Sequence, residues 1–420
     1  MELSNEDLHE VSRLYRQHIS PDLARLMKFG GPGSLEVSAR DCRVTDHLGR
    51  SYLDFAGGYG VFSLGHSHPE VVAAVAAQLH QLPLSSRVLM NPQQAYLARD
   101  LAQVAPGRLQ YSFFCNSGAE AVEGALKLAR LATGRQRLLA CHNSYHGKTL
   151  GALSVTGREK YRQPFEPLIP EVGFVDFGDL DQLRACLDES VAAFIVEPVQ
   201  GEGGIHVAPE GYLQGVAALC RQHGVLLIAD EVQCGLGRTG KLFAVENWGV
   251  EPDLLVLAKA LGGGVVPAGA ILGTPEVWQS LKGRPLIHTS TFGGNPLACV
   301  AGRKTLEILQ RDGLSAKSAR DGSWLKSELL RLRQEFPHLI AQVRGLGLMI
   351  GVELGREDLA GALISELLKR NLLAVYTLNQ PNVIRLEPPL TISQADLDQA
   401  VTAFSQSLQA IAQRQLVVSQ

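Results

Sequence analysis

The sequence lacks what would direct it to a membrane, a nucleic acid or an oxidising compartment. No stretch approaches the roughly eighteen uninterrupted apolar residues of a bilayer span. Acidic Glu2, Glu6 and Asp7 precede any apolar run, so neither a transmembrane helix nor a signal peptide is expected. Neither sign of charge is in excess: 39 Lys and Arg against 42 Asp and Glu leave a formal charge of −3, which offers no basic patch for nucleic acid. Cysteine is present but unpatterned, seven residues with no CxxC pair. The thiols read as reduced core residues of a cytoplasmic protein, not as disulfides or a metal site. His66 and His68 have no carboxylate or cysteine ligand at useful spacing, so they read as the packed start of a helix and no metal is expected. Internal repeats and low-complexity tracts are also missing.

What is present is a chain of 420 residues, 45% apolar, long enough for one large α/β domain and a smaller one. Short apolar runs at 111–115, 138–141, 173–176, 192–196, 225–229, 254–257 and 270–272 are separated in several places by helical stretches, near 119–131, 180–187 and 212–223. That alternation predicts a mostly parallel sheet covered by helices on both faces. Before it, helical spacing runs to about Leu26, the run Gly30-Gly31-Pro32-Gly33 breaks it, and 35–55 alternates as short strands with a turn at 47–49. A helix opens at His68-Pro69 and runs through Leu79. After Asn295 come a long helical stretch to Gln310 and beyond, strands at 343–354 and 373–376, and helices at 358–369 and 395–413, the last capped by Ser393 with Asp396 three residues on. The expected division is 51–310 as the large domain, 311–420 as a small α+β domain, and 1–50 as a segment joining the small one.

The chemistry centres on 224–264. One apolar run there ends in Asp230-Glu231 and the next in Ala258-Lys259, so an acid and a lysine sit at the C-terminal ends of two inner strands, the edge where open α/β sheets bind ligands. That pair suits pyridoxal phosphate: the lysine joins the cofactor aldehyde, and the acid keeps the pyridine nitrogen protonated so that the ring accepts electrons. A nucleotide-phosphate loop is the competing reading of Gly235 to Lys241, but Leu242 stands where a serine or threonine must hold magnesium. A helix-capping Asp230 with a solvated Lys259 is the blander one. The leucines and alanines around Lys259 speak against it, because a buried lysine is rare without a task.

Other stretches join this pair. Ser117-Gly118-Ala119 ends a strand and starts a helix, whose free N–H groups and partial positive charge suit a phosphate; alone, such a serine is usually only a cap. Tyr145-His146-Gly147 places an aromatic ring on a loop at the same sheet edge, where it could stack on a pyridine. Glu197 and Glu202 lie among glycines after the 192–196 strand. Their partner is expected to be Arg385, flanked by apolar residues in Val383-Ile384-Arg385-Leu386-Glu387, whose planar fork suits a carboxylate; an ion pair that merely joins two domains is the structural alternative. Thr291 offers a hydroxyl before a Gly-Gly turn.

Together these stretches resemble the class III, or ω-, aminotransferases that depend on pyridoxal phosphate, over about 15–408, and within that class those acting on putrescine. The resemblance implies an α/β fold of type I, forming a homodimer with active sites at the subunit interface. Lys259 would be the Schiff-base lysine and Asp230 the partner of the pyridine nitrogen. Ser117, Gly118 and Ala119 would hold the phosphate, with Thr291 reaching it from the neighbouring subunit. Tyr145 would stack on the ring and Gln233 lie near its hydroxyl, with His146, Glu202 and Val232 completing the cofactor contacts. Arg385 would bind the α-carboxylate of the keto acid, and Glu197 would neutralise Arg385 when the substrate end placed there has none. The implied reaction moves an amino group from a terminal amine, a putrescine-like diamine or an ω-amino acid, to a 2-oxo acid, with 2-oxoglutarate expected. Ornithine, acetylornithine and 4-aminobutyrate remain open as donors, as does an aminomutase or decarboxylase on the same fold. Residues 374–379 depart from the pattern beside the substrate entrance, which leaves the donor open.

Overall fold

The computed structural model describes residues 4–30 and 33–418. Gly31 and Pro32 of the expected N-terminal break, and Glu2, lie outside these. The core is a seven-stranded sheet, in spatial order Tyr111–Cys115, Gly269–Gly273, Leu254–Leu257, Leu226–Asp230, Val191–Val196, Arg137–Cys141 and Val172–Val175. All but Gly269–Gly273 run the same way. The inner strands Val191–Val196 and Leu254–Leu257 are buried at every residue, which is why they read as continuous apolar runs and not as alternating ones. Helices Gly118–Thr133, Leu180–Cys186 and Tyr212–His223 fill the connections.

Register brings the chemistry together. Asp230 lies directly opposite Val256 on the neighbouring parallel strand, so the C-terminal ends of the two strands are level. Lys259 follows three residues after Val256, at the start of a tight turn, Lys259–Gly262.

A second, antiparallel sheet is built from Ile340–Leu346, Met349–Leu354, Val383–Leu386 and Val375–Tyr376, and a third from Glu36–Arg40, Arg43–Asp46, Ser51–Asp54 and Leu372–Leu373. The run 373–376 is therefore not one strand. It parts at Ala374: Leu373 pairs with Asp54, while Val375 pairs with Arg385. The stretch 343–354 likewise folds into a hairpin, and the helix after Asn295 is two helices, Pro296–Arg311 and Leu314–Glu335, separated at Gly313, whose φ of 60° leaves helical space. The helix Pro92–Val104 had no counterpart in the sequence reading. At the C-terminal helix Gln394–Val418, Ser393 Oγ accepts from the Asp396 N–H at 3.1 Å, as expected of a cap.

Among the described residues, no helix is long and apolar enough to cross a membrane, and no cluster of His, Cys, Asp and Glu could hold a metal. His66 Nε2 instead lies 2.8 Å from Asp54 Oδ2, both groups buried. All seven cysteines are free.

Candidate active site

Asp230 closes its strand with a buried carboxylate. Oδ1 accepts from the Val232 N–H at 3.0 Å and Oδ2 meets His146 Nδ1 at 2.6 Å. A carboxylate offers about four lone-pair sites, so two remain for a further donor. Against a carboxylate oxygen, which accepts, Nδ1 is the donor of this contact, and the buried Nε2 has no partner.

Lys259 is half-buried and holds a φ of 45°, a backbone state that non-glycine residues avoid unless the surroundings impose it. Burial pushes its ammonium below the ordinary lysine range; the charges of Glu387 and Glu202 oppose that shift without cancelling it. A lysine so placed sheds its proton more readily than one in water.

Both groups line one cavity of about 540 Å³, which also takes in Ser117, Gly118, Ala119, Tyr145, His146, Glu197, Val232 and Gln233. Ser117 caps the helix Gly118–Thr133, its Oγ accepting from the Glu120 N–H at 3.2 Å. That leaves the Gly118 and Ala119 N–H groups at the helix start pointing outward for an anion. Gly118 is required there because a Cβ would stand 2.8 Å from Val232 Cγ1. An anion-binding helix start, a buried acid with free lone pairs, an unpartnered imidazole nitrogen and a lysine of lowered proton affinity fit pyridoxal phosphate by donor chemistry and by room. The competing phosphate loop fails in its surroundings. A Cβ at Gly240 would meet Ala319 at 2.9 Å and one at Gly237 would meet Leu390 at 2.8 Å, so that loop is packed against other elements.

Arg385 is fully buried (0% exposed), and of the two acids expected beside it only Glu202 bonds to it. Nη1 donates to Glu202 Oε1 at 2.5 Å, and Nε stands 3.5 Å from Glu387 Oε2. Burial would raise the Glu202 carboxyl, but Arg385 and the Leu378 N–H hold it below the usual carboxylate range. Glu197, expected to neutralise Arg385, faces the other way. It accepts from the Tyr145 N–H at 2.9 Å and the Gly201 N–H at 3.0 Å, and burial pushes its carboxyl up to about 7. The physical reason is local: Glu197 precedes the short strand Val199–Gln200, whereas Glu202 lies inside the turn 201–204 that leads to the strand His206–Val207, and from that turn it reaches Arg385.

Gln233 lines the cavity, yet its Nε2 donates to Glu387 Oε2 at 3.0 Å. The guanidinium lies 4.8 Å from the centre of the Tyr59 ring. Tyr59 was not singled out from the sequence, and Glu387 stood there only as a neighbour in the run around Arg385. Thr291 is exposed and lies outside the cavity of its own chain.

Residues 34–408 match the family model of the class-III aminotransferases. A putrescine aminotransferase of Pectobacterium atrosepticum is 45% identical over 410 aligned residues, covering 93% of this chain and 88% of that protein. Among solved structures, the ornithine aminotransferase of Toxoplasma gondii superposes with a TM-score of 0.90 at 33% identity, over 97% of this chain and 95% of that one. The acetylornithine aminotransferase of Elizabethkingia anophelis does so at 0.83 and 31%, over 96% and 99%. With this match along most of its length and a cavity whose donors suit the cofactor, the chain belongs to the class-III aminotransferases, enzymes that depend on pyridoxal phosphate.

Proposed function

We propose that this aminotransferase takes its amino group from a terminal amine of the putrescine kind and delivers it to a 2-oxo acid such as 2-oxoglutarate. The observation that carries the reading is one cavity in which Asp230, Lys259 and the start of helix Gly118–Thr133 converge, with Arg385 masked by Glu202 close by. The name of the 45% identical relative points to the same donor class.

Ser117, Gly118 and Ala119 would hold the cofactor phosphate, Asp230 the pyridine nitrogen, Tyr145 the ring face, and Lys259 the aldehyde. Bound pyridoxal phosphate supplies an electron sink for the pair released when a C–H bond beside the amine nitrogen breaks. Lys259 Nζ would move the proton of that bond, and burial, which lowers its proton affinity, favours that role. Asp230 would pair with a protonated ring nitrogen, its orientation fixed by His146. Glu202 keeps Arg385 neutralised while an amine without a carboxylate occupies the site. An incoming keto acid displaces Glu202 and pairs with the guanidinium through two hydrogen bonds. Leaving a buried charge unpaired costs on the order of 2–5 kcal/mol, which is what the exchange of partners avoids. Two half-reactions sharing one site give ping-pong kinetics.

The partner in assembly is a second copy of this chain. Val88, Leu89, Met90, Leu286 and Ile287 are exposed apolar residues, and Arg87 ties the first loop to the second through the Ser290 and Gly293 carbonyls. Thr291 lies in the second loop, placed to reach a neighbour's phosphate site. The free thiols suit a reducing cytoplasm. The division at about residue 310 remains part of this reading, and the pairing of Arg43 with Asp396 at 2.5 Å supports joining the N-terminal segment to the C-terminal part.

A panel of terminal amines offered to the holoenzyme, read out as glutamate formed from 2-oxoglutarate, tests this reading. Transfer from at least one diamine is expected, with a loss of at least about 100-fold in Lys259→Ala. Near wild-type turnover in that variant, or no transfer from any terminal amine, would refute it.

A further inference from the structure

Glu387 is fully buried (0% exposed), yet one of its oxygens has no donor. Oε2 accepts from Gln233 and stands 3.5 Å from Arg385 Nε, while Oε1 is unpartnered. On the guanidinium, Nε and Nη2 are likewise without hydrogen bonds. One cation is thus shared between two carboxylates, Glu202 bonded to it and Glu387 beside it.

The two acids are held differently. Glu202 sits among glycines, at Gly201, Gly203 and Gly204, with its carbonyl accepting from the Asn379 N–H and its Oε2 from the Leu378 N–H. Glu387 is clamped: its N–H donates to the Phe55 carbonyl at 2.9 Å, Arg238 Nη1 donates to the Pro388 carbonyl at 2.5 Å, and two prolines follow it. Arg238, the other buried cation nearby, makes its hydrogen bonds to the Leu348 and Pro388 carbonyls and Ser63 Oγ, and it draws on Asp54 as well as Glu387 for charge compensation. No hydrogen bond from it claims the Glu387 oxygens.

The charge balance follows. With Glu202 in place, two carboxylates face the one guanidinium; Glu387 also faces the charges of Lys259 and Arg238. With Glu202 displaced, Arg385 keeps only Glu387, 3.5 Å from Nε and not hydrogen-bonded to it. An arriving carboxylate must therefore displace Glu202 and settle beside Glu387, whereas an ammonium is drawn to the paired acids and to an oxygen without a donor.

We propose that Glu387 is a specificity-determining residue, a fixed carboxylate beside Arg385 that favours a donor whose far end is a cation over one whose far end is a carboxylate. This rests on the aminotransferase reading, with Arg385 as the receiver of the keto-acid carboxylate.

The test uses holoenzyme carrying Glu387→Gln, which keeps shape and removes charge, and Glu387→Asp, which keeps charge and draws it back. Single-turnover kcat/KM is measured for 1,4-diaminobutane, butylamine, 4-aminobutyrate and 2-oxoglutarate. In Glu387→Gln, diaminobutane should fall at least about tenfold relative to butylamine, the range expected when one partner of a buried charge contact is lost, while 4-aminobutyrate and 2-oxoglutarate gain. Glu387→Asp should narrow the preference for the diamine by less. Equal changes for all four substrates would mark Glu387 as structural and overturn the proposal. Should Glu387→Gln fail to fold, an unaltered donor preference in Glu387→Asp does the same. Wild-type enzyme inactive with every donor would instead sink the underlying reading.

Discussion

Removing the Glu202 carboxylate leaves Arg385 with Glu387 alone, 3.5 Å from Nε and not hydrogen-bonded to it. In Glu202→Ala, a donor without a carboxylate would then bind beside a poorly compensated guanidinium, and its half-reaction should slow by about tenfold or more. The keto acid brings its own carboxylate and loses a competitor, so its half-reaction should hold or improve. Separate single-turnover measurements decide this, and equal losses in both halves would contradict it. Glu197→Gln differs, since Glu197 holds the Tyr145 and Gly201 N–H groups; it should weaken both half-reactions alike. Which acid serves Arg385 was not legible in the sequence. Both lie in one glycine-rich stretch, and only the folded chain shows that Glu202 sits in the turn 201–204 while Glu197 lies before the strand Val199–Gln200. Asp230 and Lys259 were legible, because a charged residue ending a continuous apolar run marks the binding edge of a parallel sheet.

The strand ending at Asp230 is anchored by its next residue. Glu231 is buried, accepting from the Ala244 N–H at 2.6 Å and the Val245 N–H at 2.8 Å, and so fixes the turn Ala244–Trp248 against the sheet. Burial pushes its carboxyl up to about 8, from an ordinary 4.5. The folded state therefore holds this proton more tightly than the unfolded one. The stability it contributes is complete below about pH 4.5 and is lost as pH rises through about 8. Glu231→Gln should lower Tm by setting an amide N–H against a backbone N–H, but should flatten the decline between about pH 5 and about pH 9; parallel Tm curves for the two proteins would contradict this. At this scale the main-sheet strands were readable to within a residue or two, because burial on both faces writes itself as unbroken apolar runs. The division of 372–376 between two sheets was not, since each half is specified by a partner far away in the chain.

Met90 is fully exposed (100%), with Leu89 at 79% and Leu286 at 81%. Such apolar residues at a surface mark an association site. Met90→Glu should shift the protein toward monomers and lower its activity in parallel, because the site is proposed to be completed by the neighbour's Thr291. Sedimentation velocity alongside rates over a range of concentrations checks this; a monomeric variant at full rate would disprove the shared site. Little of this was readable from composition, as exposure is a property of the folded surface.

The parting at Ala374 reaches further than its size suggests. Leu373 is laced to Asp54 and Val375 to Arg385, so the strand bearing the guanidinium, held on its other side by Met349–Leu354, is also tied through one alanine to the hairpins near the amino end of the chain. A tag or deletion at that end would tug this tendon, and substrate choice would register the disturbance before turnover itself failed.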